Sequence, residues 1–269
     1  MTAHPAEVSP LLRSDRCLSE NRCVATLTLN RPAKFNALSE ELLTAIQVEL
    51  DDIAQSETVQ VVVIAAAGKA FCAGHDLKQM RETPDEAYYQ TLFAQCGRMM
   101  QTLTRLPQPV VAKVQGMATA AGCQLVAACD LAVAASDVQF AVSGVNLGLF
   151  CSTPSVALSR NVSRKRAFEM LVTGDFIDTE KAKDWGLIND AVDAAQLDNR
   201  VDELVDKILH KPPVAIRTGK TMFYRQLSEQ LDSAYQYAGD VMAGNMMAED
   251  TIEGIDAFIG KRPPNWRDS

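Results

Sequence analysis

Two stretches of this chain share one form: a largely apolar run of strand length, a turn of small residues, then a helix-compatible segment. The stronger is Val110-Val-Ala-Lys-Val114 leading into Gly116-Met-Ala-Thr-Ala-Ala-Gly-Cys-Gln-Leu125. The second is Val61-Val-Val-Ile-Ala-Ala66 followed by Phe71-Cys-Ala-Gly-His-Asp-Leu77. Short apolar runs without alternation fit the buried strands of an α/β domain. Small side chains at the turn let a ligand approach the backbone closely. The first turn of the helix, roughly Ala121 to Ala128, offers unpaired N–H groups, and its dipole favours negative charge. One donor from each turn would clamp a single carbonyl oxygen. On the pattern alone a plain reading stays open: two strand-to-helix turns without chemistry.

The remaining composition narrows the classes. At 269 residues the chain suits one large domain, or a domain with an appended subdomain. A net charge of −8 does not suggest a nucleic-acid partner. It leaves an anionic small ligand open, because binding answers to the local field. The cysteines at 17, 23, 72, 96, 123, 129 and 151 form no CxxC, and with three histidines no metal-ligand cluster is expected. Reduced thiols and a cytoplasmic location are the expectation. Met1 to Ser9 carries no apolar or arginine-rich targeting pattern, and no apolar run approaches transmembrane length. Walker A, GxGxxG and HExxH motifs are absent.

Taken in order, residues 1–10 read as a loose tail. Leu11-Leu-Arg and Cys23 to Leu29 flank a polar turn at Ser19-Glu-Asn, which predicts a hairpin. Pro32 ends the second strand. Ser39 caps a helix whose first turn carries Glu40 and Glu41 and whose Leu42, Ile46, Leu50 and Ile53 share a face. Lys78 to Glu82 reads as a polar region, and Thr83-Pro84 as the start of a helix reaching about Leu106. Helical signals dominate from Ser152 onward: Thr179 to Trp185, Gln196 to His210, Ala215 to Gln226, Ser228 to Met247 and Thr251 to Ile259. This late block, drawn here as 201–269, reads as a helical subdomain after a core at 11–200. Met242, Met246, Met247 and Phe258 fit either an interface or ordinary core.

Asn30-Arg-Pro-Ala-Lys-Phe-Asn-Ala-Leu38, then Ala73-Gly-His-Asp-Leu77, then Gly116 to Leu125 with Cys129-Asp130, occur in an order and spacing that resemble the crotonase (enoyl-CoA hydratase/isomerase) superfamily. The resemblance covers about Leu11 to Trp266. Ala118 to Ala127 and Gly144 to Pro154 look most like the enoyl-CoA hydratase domain-containing protein 3 group. It implies an α/β fold, a crotonase-like (ClpP/crotonase) spiral of β-β-α units with a C-terminal helical trimerisation subdomain. It also implies an acyl-CoA ligand, no tightly bound cofactor, and a homotrimer or dimer of trimers without membrane or nucleic-acid partners.

Matched position by position, the resemblance makes the backbone N–H groups of His75 and Ala121 an oxyanion hole for a thioester carbonyl, the kind of group that supplies roughly 3–4 kcal/mol per donor. It assigns Lys34, Asn36, Ala37 and Leu38, then Ala73, His75, Asp76 and Leu77, to the CoA moiety, and Phe258 and Lys261 to a neighbouring subunit's ligand. Ala120 and Ala121 replace part of the usual glycine run. The two glutamates of the family's hydratases belong at Gln124 and Gly144, where neither residue exchanges a proton. Losing groups of a kind that contribute typically 10²–10⁴-fold makes ordinary hydration doubtful. Gln124 retains the ability to orient a water. The His75 side chain has a suitable pKa range but is expected to face CoA or solvent. Cys151 and Ser152 are candidate nucleophiles with no base evident in the sequence; Ser143 and Asn146 are polar pocket candidates. Arg160 and Arg164-Lys-Arg166 read as a solvated helix end. Three functions remain: a catalyst of the enoyl-CoA hydratase/isomerase type, a non-catalytic or weakly catalytic acyl-CoA binder, and a different thioester reaction such as hydrolysis or decarboxylation.

Overall fold

The computed structural model describes residues 9–266; all but the last two residues of the expected 1–10 tail lie outside that range. Among the described residues ten strands form two sheets. Strands β1 (Leu11–Ser19), β2 (Arg22–Leu29), β3 (Val59–Ala66), β5 (Val110–Val114), β7 (Leu131–Ala135) and β10 (Asp190–Val192) make the larger sheet, in the order β1-β2-β3-β5-β7-β10. Strands β4 (Ala70–Cys72), β6 (Met117–Thr119), β8 (Gln139–Ala141) and β9 (Ile177–Asp178) make the smaller one. The hairpin turn at Ser19-Glu-Asn pairs β1 antiparallel to β2; from β2 onward the larger sheet is parallel. The apolar runs of β3 and β5 are the middle of that sheet, buried on both faces, as parallel strands covered by helices must be.

Three times the chain passes from a long strand of the first sheet to a short strand of the second: β3 to β4, β5 to β6, β7 to β8. Each passage then enters helix. This is the β-β-α spiral expected from the sequence. Helix α1 (Glu40–Gln55) starts where Ser39 Oγ accepts the Leu42 N–H at 3.3 Å, and buries Leu42, Leu43, Ile46, Leu50 and Ile53. The segment after His75 is a correction. Asp76 caps a short helix α2 (Leu77–Glu82) in the region read only as polar. The next helix, α3 (Glu86–Arg105), is capped by Asp85, so Thr83-Pro84 lies outside it. Six residues are too few for apolar periodicity to show.

Helix α4 (Ala121–Ala128) is buried at every position. Helices α5 (Ser152–Asn161), α6 (Arg164–Thr173) and α7 (Thr179–Asp184) follow. Helix α8 (Leu197–Leu209) buries Leu197, Val201, Val205 and Leu209, and the line drawn at 200 falls inside it. The last three, α9 (Pro213–Gln226), α10 (Leu231–Asn245) and α11 (Glu249–Ile259), bury little and leave Leu227, Leu231, Tyr235, Met242, Met247, Phe258 and Ile259 exposed. One buried ion pair anchors α9 to the core: Lys220 Nζ lies 2.6 Å from Asp130 Oδ2 and donates to the carbonyls of Leu103 and Gln108 at 2.8 Å.

The thiols do not all stay apart. Cys17 and Cys23 are directly opposite in the β1–β2 register and are joined as a disulfide, which corrects the expectation of fully reduced thiols. The other five cysteines are free and buried. Among the described residues no helix is long and apolar enough to cross a membrane.

Candidate functional site

The site is built from three loops. In the first, Asn30 to Ser39, the chain turns through Phe35 and Asn36 with φ of 50° and 52°, left-handed values that non-glycine residues adopt at a cost. Asn36 holds the turn together. It is fully buried; its Oδ1 accepts the Arg31 N–H at 2.8 Å, and its Nδ2 donates to the carbonyls of Ala67 and Ala70, each at 2.8 Å. Its side chain is thus consumed within the protein. Ala37 and Leu38 are buried beside it, whereas Lys34 is exposed.

The second loop is Ala73 to Leu77. Leu38 pairs with His75 as an isolated parallel bridge: the Leu38 N–H donates to Gly74 O at 2.7 Å, and the Asp76 N–H donates to Leu38 O at 3.1 Å. Gly74 has φ of 90°. The Asp76 carboxylate accepts from the N–H groups of Lys78 and Gln79 and pairs with Arg31 Nη2 at 3.0 Å. Burial raises its pKa, but Arg31 and the two helix N–H groups outweigh that and hold it below the usual carboxylate range. The His75 ring packs edge-on against Phe93, with centroids 5.4 Å apart. Burial pushes its pKa down to about 4, so it is neutral near pH 7. Its Nε2 is buried and has no hydrogen-bond partner among the described residues. Ala73 is half-buried and Leu77 is exposed.

The third loop joins β6 to α4. A Cβ at Gly122 would stand 2.0 Å from Cys72 O, so α4 begins in direct backbone contact with the end of β4. A Cβ at Gly74 would meet the Ala120 Cβ at 3.0 Å and the Ala121 nitrogen at 3.3 Å. The two strand-to-helix turns are therefore packed against each other. Ala120 adopts φ 50° and ψ −119°, a region that a side chain disfavours and that stores on the order of 1–3 kcal/mol. Its own N–H is used, donating to Ala141 O at 2.9 Å. Among the described residues neither the His75 N–H nor the Ala121 N–H has a hydrogen-bond acceptor. The structure thus packs the Gly74 turn, which precedes His75, against the start of α4 at Ala121.

Gln124 lies one turn along α4. It is 4% exposed, and its Oε1 has no partner among the described residues. Gly144 follows β8, which pairs with β6. A Cβ there would stand 2.3 Å from Leu149 O and 2.8 Å from Cys151 Sγ. The loop has closed over this position: the Leu149 N–H donates to Gly144 O at 3.0 Å, and the Gly144 N–H donates to Cys151 Sγ at 3.3 Å. Burial raises the Cys151 thiol pKa, the opposite of what a nucleophile needs. Ser152 Oγ points back to Phe150 O at 3.4 Å. Ser143 is half-buried; Asn146 is exposed and donates to Gly174 O at 3.4 Å. Arg160 donates to Val156 O and Arg166 pairs with Asp184, ordinary helix-end contacts. Phe258, 85% exposed, and Lys261 lie at the end of α11.

The enoyl-CoA hydratase/isomerase family model matches residues 19–269. The chain belongs to the enoyl-CoA hydratase/isomerase family. Within this family it is 42% identical to the enoyl-CoA hydratase domain-containing protein 3, mitochondrial, of Rattus norvegicus, over 98% of this chain and 88% of that protein. It is 31% identical to a short-chain-enoyl-CoA hydratase of Clostridium acetobutylicum, over 89% of this chain and 92% of that one. Among solved structures of the family, an enoyl-CoA hydratase of Mycobacterium smegmatis superposes with a TM-score of 0.93 at 55% identity, over 96% of this chain and 98% of that chain. Human enoyl-CoA hydratase domain-containing protein 3 superposes with a TM-score of 0.89 at 41% identity, over 94% of this chain and 99% of that one. The crotonase fold and the resemblance to the domain-containing protein 3 group are both present. The rat protein is mitochondrial by name, so the cytoplasmic expectation gains no support from it.

Sequence reasoning missed Arg31, whose partner Asp76 is 45 residues away, and the closure at Gly144. The arginine stood inside the Asn30 to Leu38 motif, but nothing local revealed what its guanidinium would hold.

Proposed function

We propose that this family member binds an acyl-CoA thioester and polarises its carbonyl between the N–H groups of His75 and Ala121. The observation that carries the reading is the contact of the Gly74 turn with the start of α4, with both donors unpaired. Fixed donors in a site shielded from water stabilise an enolate-like oxygen without reorganising. Lys34, Ala37, Leu38, Ala73, Asp76 and Leu77 face the CoA moiety in this reading, and Asn36 serves by holding the loop's shape. CoA enters as part of the substrate rather than as a resident cofactor.

Gly144 favours a reading other than hydration. Its loop leaves no room for a second carboxylate, and Gln124 does not titrate. The chain is therefore an acyl-CoA binder of weak or no catalysis, or a catalyst of a different thioester reaction such as hydrolysis or decarboxylation. The exposed apolar residues of α9 to α11 support assembly as a homotrimer or dimer of trimers, with Phe258 and Lys261 reaching a neighbour's ligand.

The test mixes the protein with a short trans-2-enoyl-CoA and follows its absorbance. Binding with a red shift and no formation of hydroxyacyl-CoA is expected. Rapid conversion to hydroxyacyl-CoA would overturn the exclusion of hydration. Failure to bind any CoA ester would overturn the thioester reading as a whole.

A further inference from the structure

We propose that Arg31 is a positioning residue that sets the direction of the His75 N–H by locking the Asn30–Ser39 loop to the Gly74–Asp76 turn. The inference rests on the thioester reading for its consequence, though its geometry stands without it. In a parallel bridge only one of the two facing residues spends its N–H and C=O on the pairing. Here that residue is Leu38, bonded to Gly74 O and to the Asp76 N–H. His75 is the other, so its own N–H faces away from Leu38. The aim of that donor is therefore fixed by the register between Leu38 and His75.

Arg31 holds this register from both strands. Nη1 donates to Ala37 O, the carbonyl immediately before Leu38. Nη2 pairs with the carboxylate of Asp76, the residue immediately after His75, at 3.0 Å. The same arginine's backbone closes the loop: its N–H donates to Asn36 Oδ1 at 2.8 Å, and its carbonyl accepts from Lys34 and Asn36 at 2.9 and 3.0 Å. The side chains of Arg31 and Asp76 are only 21% and 15% exposed, so water does not dominate the pair. A planar fork reaches two acceptors at once; an ammonium on a flexible stem does not reproduce that geometry. The left-handed pair Phe35 and Asn36 adds a reason for such a clamp, since a costly turn persists only where its surroundings over-determine it.

Two measurements test this. The first needs no ligand. The chain has three histidines, at 4, 75 and 210, so selective ¹⁵N-histidine labelling of deuterated protein resolves the His75 amide. Arg31→Lys, Arg31→Gln and Asp76→Asn are each expected to move or broaden the His75 amide signal while His210 stays in place. A His75 signal unchanged in all three folded variants would overturn the proposal. The second measures the red shift of a bound conjugated enoyl-CoA at saturation. Arg31→Lys is expected to lose more than half of the wild-type shift and to bind about tenfold more weakly. Lys220→Met serves as a destabilised control outside the site and is expected to keep the full shift. A full shift in Arg31→Lys would overturn the positioning role. If the wild type itself neither binds nor shifts the chromophore, the thioester reading fails, and the amide measurement still decides the role of Arg31.

Discussion

Replacing Gly144 by alanine is expected to destabilise the protein by about 2–4 kcal/mol, and Gly144→Glu by at least as much. The new Cβ would stand 2.3 Å from Leu149 O and 2.8 Å from Cys151 Sγ. The first contact is ~1 Å inside ordinary van der Waals distance. Leu149 O is backbone, so the loop itself has to move. Overpacking of this kind costs about 1–3 kcal/mol. The movement also strains the Leu149 N–H bond to Gly144 O and the Gly144 N–H bond to Cys151 Sγ, each worth roughly 0.5–1.5 kcal/mol. Stiffening of the unfolded chain returns about 0.4–1 kcal/mol. For a chain of this size the net corresponds to a fall in the thermal midpoint of roughly 4–16 °C. Gly97→Ala is the control, because Gly97 lies within α3 and a Cβ there meets nothing within 4 Å; it is expected to gain about 0.5–1 kcal/mol. Thermal and urea unfolding of both variants decide the matter. Gly144→Ala within ~0.5 kcal/mol of wild type would refute the reasoning. So would a stable Gln124→Glu/Gly144→Glu protein that hydrates enoyl-CoA, because the closed loop leaves that second carboxylate no place.

Ala120→Gly relieves a backbone at φ 50° and ψ −119° and is expected to stabilise the fold by about 1 kcal/mol, read as a raised urea midpoint. Lys220→Met leaves Asp130 buried without its cation and is expected to cost about 3–5 kcal/mol, seen as a large fall in the thermal midpoint. His75 titrates at about 4 when folded and near ~6.5 when unfolded. Between these values the unfolded chain binds more protons, so the stability it contributes is complete above the upper value and is lost as pH falls toward the lower. His75→Gln, with the backbone donor intact, is expected to flatten the stability profile across that window and to keep the carbonyl polarisation. Reducing Cys17–Cys23 opens a short loop, with a sequence separation of 6, and is expected to cost about 2 kcal/mol; thermal melts with and without dithiothreitol check it, and an unshifted midpoint contradicts it.

Much of the fold was legible because its signals are local. The largely apolar runs of β3 and β5, interrupted only by Gln60 and Lys113, marked strands buried on both faces. Ser39 announced α1 by its cap, and the late helices began and ended near their sequence signals. The small residues from Gly116 to Gly122 were read as room for a ligand at the backbone, whereas at Gly122 the space is taken by Cys72 O. Short or paired features were not legible. Helix α2 is too brief to show a period and rests on one cap, Asp76. The disulfide depended on a hairpin register that places Cys17 opposite Cys23. Asn36, read as a ligand contact, is committed to Ala67 and Ala70.

The sequence by itself determined which residue types stand at the site: small residues at the two strand-to-helix turns, and no titratable group at Gln124 or Gly144. These follow from residue type and from position relative to a strand or helix end, which neighbouring residues dictate. Only the tertiary structure decided how those groups meet. It packed Gly74 against Ala121, set Arg31 across Ala37 and Asp76, seated Lys220 on Asp130 and closed the loop over Gly144. Each is a pairing between distant positions or a matter of ångströms of free space. Such pairings arise from the packing of whole elements, and local propensity carries no record of them.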